Sequence, residues 1–138
     1  MNTLKIINVL SLVLLTTFFI KPDVALAGGF EKTCSNLKLD RDKTHLYLSA
    51  TCVKRNGQKA DSKLDLNKYI ANKNGVLSWA PGEGGLIKSC SRIDFYIDIK
   101  GDSSLIGDYC IGDPQPFSSF FALNDHISNR NGVLMPDF

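Results

Sequence analysis

Histidine is scarce in this sequence, at two of 138 residues. Neither His45 nor His126 has a metal-ligating partner at i+3 or i+4 or in a Cys-x-x-Cys setting, so no metal and no cofactor is expected. The Gly-x-Ser-x-Gly elbow of a serine nucleophile is missing, and the even cysteine count leaves no odd thiol for nucleophilic work. Paired carboxylates for glycoside hydrolysis need not be sequence neighbours, but a small chain of repeated hairpins has little room for a catalytic cleft. No enzyme activity is expected. Charge of one sign is lacking too: 16 Lys and Arg stand against 14 Asp and Glu, which offers no electrostatic footprint for nucleic acid or anionic lipid.

Long apolar runs are confined to the N-terminus. There Lys5 precedes the run Ile6 to Ile20, followed by Pro22 and the small-residue pattern Ala25-Leu26-Ala27, which reads as an export signal cleaved after Ala27. The run is interrupted by Asn8, Ser11, Thr16 and Thr17 and falls short of the roughly 20 apolar residues that span a bilayer. Residues 1–27 are therefore expected to be a signal peptide, the remainder to have no membrane span, and the product to be secreted, extracellular or periplasmic. Gly28 to Phe138 fits one domain with a modest core. Losing Lys5, Lys21 and Asp23 with the signal leaves 14 basic and 13 acidic residues, so charge still says little about partners.

All four cysteines, Cys34, Cys52, Cys90 and Cys110, lie in the exported part, where disulfides are favoured over free thiols. Three connectivities are open to four cysteines. An internal repeat points to Cys34–Cys52 and Cys90–Cys110, each closing a loop worth about 3 kcal/mol in the chain-entropy model.

That repeat is the main organisational signal. Phe30-Glu31-Lys32-Thr33-Cys34-Ser35-Asn36-Leu37-Lys38-Leu39 returns as Leu86-Ile87-Lys88-Ser89-Cys90-Ser91-Arg92-Ile93-Asp94-Phe95. Leu66-Asn67-Lys68-Tyr69-Ile70-Ala71-Asn72-Lys73-Asn74-Gly75-Val76-Leu77 returns as Leu123-Asn124-Asp125-His126-Ile127-Ser128-Asn129-Arg130-Asn131-Gly132-Val133-Leu134, with eight of 12 positions identical. The two copies cover about 28–79 and 86–138. Within them the period is mostly two: Leu46, Leu48, Ala50 and Cys52 share one face, and Ile93, Phe95, Ile97 and Ile99 another, as in half-buried strands. Asn74-Gly75 and Asn131-Gly132 supply the dipeptide that type I′ hairpin turns demand. Asp65 to Ala71 and Leu123 to Ser128 are expected to form single helical turns, and Trp79 with Pro81-Gly82-Glu83-Gly84-Gly85 to separate the copies.

The order strand, Cys, hairpin, Cys, Leu-Asn-x-x-Ile, Asn-x-Asn-Gly-x-Leu, given twice with one cysteine pair per copy, resembles the cyanovirin-N family from Gly28 to about Leu134. The 27-residue step from Cys52 to Trp79 matches that family's spacing. The resemblance implies a mainly β, pseudo-symmetric fold with short helical turns, in which each half exchanges its last hairpin with the other. One half would combine Gly28 to about Tyr69 with the final hairpin from Asn129, and the other would use about Ile70 to Ser128. It also implies a lectin for mannose-type oligosaccharides or the glycoproteins that carry them, with two sites, as a monomer or a domain-swapped dimer.

Carried over position by position, the first site falls on Lys32, Thr33, Val53, Lys54, Arg55, Asn129, Arg130 and Asn131. Asn, Thr, Lys and Arg offer the donors and acceptors that sugar hydroxyls need. The family's acidic residue is replaced by Val53. The second site falls on Asn72, Lys73, Asn74, Gly84-Gly85, Ser89 and the segment after Cys110, where Ile111-Gly112-Asp113-Pro114-Gln115-Pro116 replaces a basic and polar run. On this reading the first site is the better preserved. The same asparagines also serve their turns, and Lys54, Arg55 and Arg130 also suit a solvated surface. The alternative is a secreted protein-interaction module that kept the fold and lost the sugar sites. Tyr47, Tyr96, Tyr109, Phe117, Phe120 and Phe121 suit either reading, by stacking on sugars or anchoring a protein, with about half of them expected in the core.

Overall fold

The computed structural model describes residues 28–112 and 118–138. Residues 1–27, on which the expected signal peptide falls, and the stretch Asp113 to Phe117, including the rewritten prolines, lie outside the described residues. No helix among the described residues is long and apolar enough to cross a membrane.

Two three-stranded antiparallel sheets carry the two copies. The first is β1 (Cys34–Arg41), β2 (Leu46–Val53) and β3 (Lys59–Asp65), and the second is β6 (Cys90–Ile97), β7 (Ser103–Cys110) and β8 (Ser119–Ala122). Between and after them stand two short hairpins, β4 (Ile70–Lys73) with β5 (Val76–Trp79), and β9 (Ile127–Arg130) with β10 (Val133–Pro136). In β2 the alternation acts as expected: Leu46, Leu48, Ala50 and Cys52 are buried, while Tyr47, Ser49 and Thr51 alternate with them. Cys34 pairs in register with Cys52 and Cys90 with Cys110, and each pair is disulfide-bonded across its hairpin.

The identical residues of the repeat explain its strength. Leu66 and Leu123, Ile70 and Ile127, and Leu77 and Leu134 are all buried in one core cluster shared by both copies, joined by Phe30 and Leu86 at equivalent places. Burying such a side chain stabilises by about 1.5–3 kcal/mol. Asn74 and Asn131 hold φ of 52° and 55°, each followed by a glycine at 88°, as a type I′ turn requires.

The last hairpin lies against the first sheet, where the Leu134 N–H donates to Ser62 Oγ at 2.9 Å. The middle hairpin lies against the second sheet, where the Leu77 N–H donates to Ser119 Oγ at 2.8 Å.

Four local expectations change. Ile97 and Ile99 do not continue a buried face: β6 ends at Ile97, and both are exposed. Asp98 Oδ1 accepts the N–H groups of Lys100 and Asp102 and turns the chain there. The turn from Asp65 shrinks to a 3-10 turn, Leu66–Lys68, capped by Asp65, because Ile70 already begins β4. Leu123 to His126 is a single hydrogen-bonded turn, with the His126 N–H on Leu123 O at 3.1 Å. Further helical turns form before each first cysteine, at Phe30–Lys32 and at α1 (Leu86–Ser89), which bury Phe30, Leu86 and Ile87. Trp79 is not linker but the last residue of β5, stacked on His126 at 4.9 Å and donating from Nε1 to Asp137 O.

Candidate functional site

At the terminal end of the molecule three remote segments meet: Thr33 before β1, the turn after β2, and the β9–β10 hairpin. Asn129 joins them. Its Nδ2 donates to Thr33 Oγ1 and to Val53 O, both at 2.9 Å, while its Oδ1 accepts the Gly132 N–H at 2.7 Å and closes its own turn. Asn131 Oδ1 accepts the Arg55 N–H at 3.0 Å. The Lys54 stem lies over Gly132, 2.7 Å from where a Cβ would stand, so only glycine fits that turn position. The result is a framed rim on which Lys32, Thr33, Arg55, Arg130 and Asn131 are exposed and Lys54 is half-buried. Arg130 is drawn toward Asp137, with Nη2 3.1 Å from Oδ1. Val53 is exposed where an acid would have given a strong hydroxyl acceptor.

The equivalent end around the middle hairpin repeats half of this. Asn72 Oδ1 accepts the Gly75 N–H at 2.7 Å and its Nδ2 donates to Ile111 O at 2.8 Å, as Asn129 does to Val53. Ser89 is not gathered in: its hydroxyl turns back on Leu86 O and Gly85 O. Lys73 is ion-paired with Glu83. Asn74 lies against Gly112, and Ile111 is 71% exposed against 39% for Val53.

The structure therefore brings Thr33, Val53, Lys54, Arg55, Asn129 and Asn131 together, with Lys32 and Arg130 flanking them. It joins Asn72 to Ile111 and Asn74 to Gly112 but leaves Ser89 bound to its own helical turn. Sequence reasoning missed Asp137 and Glu83, which hold the cationic residues of the two hairpins. It also missed a groove of about 590 Å³ on the first sheet, lined in part by Asn36, Lys38, Thr51, Asp61 and Lys63. The groove overlies a β-bulge between Ser35 and Lys38, where Asn36 has φ 54°, and no carried-over site residue lines it. Of the aromatics, Tyr96, Tyr109 and Phe120 are exposed and Tyr47 is half-buried. Phe121 is core, stacked on His126 at 5.1 Å.

The family model for the CVNH domain matches residues 30–135. The chain belongs to the CVNH domain family. Solved structures agree with the fold of this CVNH domain. The NMR structure of the Gibberella zeae CVNH protein aligns with TM-score 0.66 at 28% identity, over 78% of this chain and 95% of that one. A MoCVNH3 variant in complex with (N-GlcNAc)4 aligns at 0.62 and 21% identity, over 80% and 98%. Microvirin in its mannobiose complex aligns at 0.59 and 22%, over 79% and 98%. Membership places the CVNH domain among lectins, which bind sugars without catalysis.

Proposed function

We propose that this CVNH domain is a secreted carbohydrate-binding lectin for mannose-type oligosaccharides, with its principal site at the terminal end. The observation that carries the reading is the Asn129 clamp on Thr33 and Val53 in a chain of this family. It ties together the three segments that carry Lys32, Lys54, Arg55, Arg130 and Asn131, and a preorganised rim loses little freedom when hydroxyls dock on it. Asn72 and Asn74 mark the weaker central site, where Glu83 occupies the Lys73 cation and Ser89, expected to join them, is turned back on its own helical turn.

A glycan array probed with the mature protein tests this, and it must hold both mannose and N-acetylglucosamine oligomers, since Microvirin is seen with the first and the MoCVNH3 variant with the second. Saturable binding to a mannose-type glycan is expected. Arg55→Ala, with the fold checked by circular dichroism, is expected to weaken it by about tenfold, the loss of one charge-assisted contact. An array silent for every oligosaccharide overturns the lectin reading.

A second reading, a protein-interaction module, is favoured by the outer face of the second sheet. Tyr96, Ser104 and Ala122, then Asp94, Ile106 and Phe120, align in register there, and Tyr96 and Phe120 are exposed. A silent array together with unchanged stability would shift the choice to that reading.

A further inference from the structure

Gly28 is the first residue after the expected cleavage point, and its nitrogen lies 2.6 Å from Asp137 Oδ2. Asp137 is buried, at 8% exposure. Its other oxygen accepts Ser128 Oγ at 2.9 Å and Arg130 Nη2 at 3.1 Å. A buried carboxylate is costly unless it is paired, and the Arg130 side chain is half exposed.

The repeat supplies an internal control. Gly28-Gly29 has its equivalent in Gly84-Gly85. Gly29 N donates to Asn124 O at 2.8 Å, and Gly85 N to Asn67 O at 3.0 Å. A Cβ on Gly28 would stand 2.1 Å from Asn124 O, and one on Gly84 2.2 Å from Asn67 O. The Asp137 N–H donates to His126 O at 2.9 Å, as Ala80 N–H does to Tyr69 O at 2.7 Å. The backbone is thus the same twice, but the side chains are not: Ala80 stands where Asp137 does, and Ala71 where Ser128 does. At Gly84 the chain runs on from Glu83, so the nitrogen there is a neutral amide and an alanine suffices.

We propose that cleavage between Ala27 and Gly28 creates a partly buried ion pair, the Gly28 α-ammonium on the Asp137 carboxylate, and so completes the fold around the terminal site. This rests on the export reading of residues 1–27. The step is a hydrolysis catalysed by an export-pathway peptidase. The Ala27 carbonyl carbon takes the hydroxyl of water, the Gly28 nitrogen takes the proton, and the new acid then gives up a proton while the amine gains one. An unperturbed α-amine titrates at about 7.7–8.0 and is mainly ammonium at neutral pH. One N–H donor thereby becomes three, with a positive charge, facing a carboxylate that also holds Arg130. Processing, the chain terminus and the β9–β10 hairpin become one linked unit.

The test uses the secreted protein, with intact mass defining its N-terminus. Four proteins are unfolded in denaturant: the mature chain starting at Gly28, the same chain with one alanine retained ahead of Gly28, and Asp137→Asn in each background. The retained alanine moves the charge away and leaves a neutral amide at Gly28. That extension alone is expected to raise the unfolding constant about tenfold, or about 1.4 kcal/mol. Asp137→Asn is expected to cost a similar factor in the mature chain and about threefold or less in the extended one. If Asp137→Asn fails to fold, the comparison of the two wild-type chains still decides. Equal stability of those two, or an equal Asp137→Asn effect in both backgrounds, overturns the ion pair and leaves export standing. A mature chain that begins elsewhere, or keeps residues 1–27, overturns the export reading and the ion pair together.

Discussion

At the terminal end Asn129 reaches acceptors on two other segments and Asn131 braces the backbone of Arg55. At the central end Asn72 reaches one acceptor, Ser89 folds back on its own turn, and Lys73 is held by Glu83. The two hairpins share Asn-x-Asn-Gly-Val-Leu, so the sequence that makes the turn does not decide what the turn does. Identical residues supply the scaffold twice, with buried Leu and Ile and left-handed Asn. The residues that differ, Thr33 against Ser89, Val53 against Ile111 and Asp137 against Ala80, separate a braced rim from a loose one.

If the scaffold is used twice, its staples must weigh the same. Replacing Cys34 and Cys52 together by alanine is expected to cost about 3 kcal/mol, and so is replacing Cys90 and Cys110, since loop entropy grows only with the logarithm of loop length. The loops span 18 and 20 positions. Urea unfolding of the two double variants checks this, and a gap above about 1.5 kcal/mol would break the equivalence.

The asparagines must differ. Asn129→Ala removes three hydrogen bonds and is expected to cost about 2–3 kcal/mol, against about 1–2 kcal/mol for Asn72→Ala, which removes two. Denaturant midpoints of the two variants check the order, and reversal would make the central end the better braced one.

Much of the scaffold was legible because local signals carried it. Leu46, Leu48, Ala50 and Cys52 read as one face and are buried as one, and each Asn-Gly adopts the turn its φ preference favours. Ile97 and Ile99 misled because alternation alone does not show where a strand stops, and Asp98, which stops it, acts through its side chain on the next few N–H groups. The site was legible only through the family pattern, since Asn129 contacts lie 76 and 96 positions away. Asp137 was missed for the same reason, its Gly28 partner lying 109 positions off. A signal for it was present, however: it is an acid in one copy where the other has alanine.

The two long hairpins sharpen the same lesson at their tips, which differ in sequence but both turn on an aspartate. Asp98 holds the β6–β7 tip, and Asp42 holds the β1–β2 tip at the opposite end of that hairpin from Cys34. Asp42 Oδ1 accepts the Thr44 and His45 N–H groups, each at 2.7 Å, and His45 Nδ1 lies 3.2 Å from Oδ2. The Thr44 N–H foremost, then that of His45, pulls the Asp42 carboxyl down from 3.8 to about 2. A depressed carboxyl stabilises the fold above its unfolded value, and that contribution fades as pH falls through the folded one. The advantage of the wild type over Asp42→Asn is therefore expected to be full at pH 5 and to close between about 3.8 and about 2. Because the group is exposed, the effect is the smallest of those predicted. The side-chain carboxyl resonance of Asp42, followed by NMR as pH is lowered, measures it directly. A midpoint in the ordinary carboxylate range would mean that the first tip is held by its strands rather than by its aspartate.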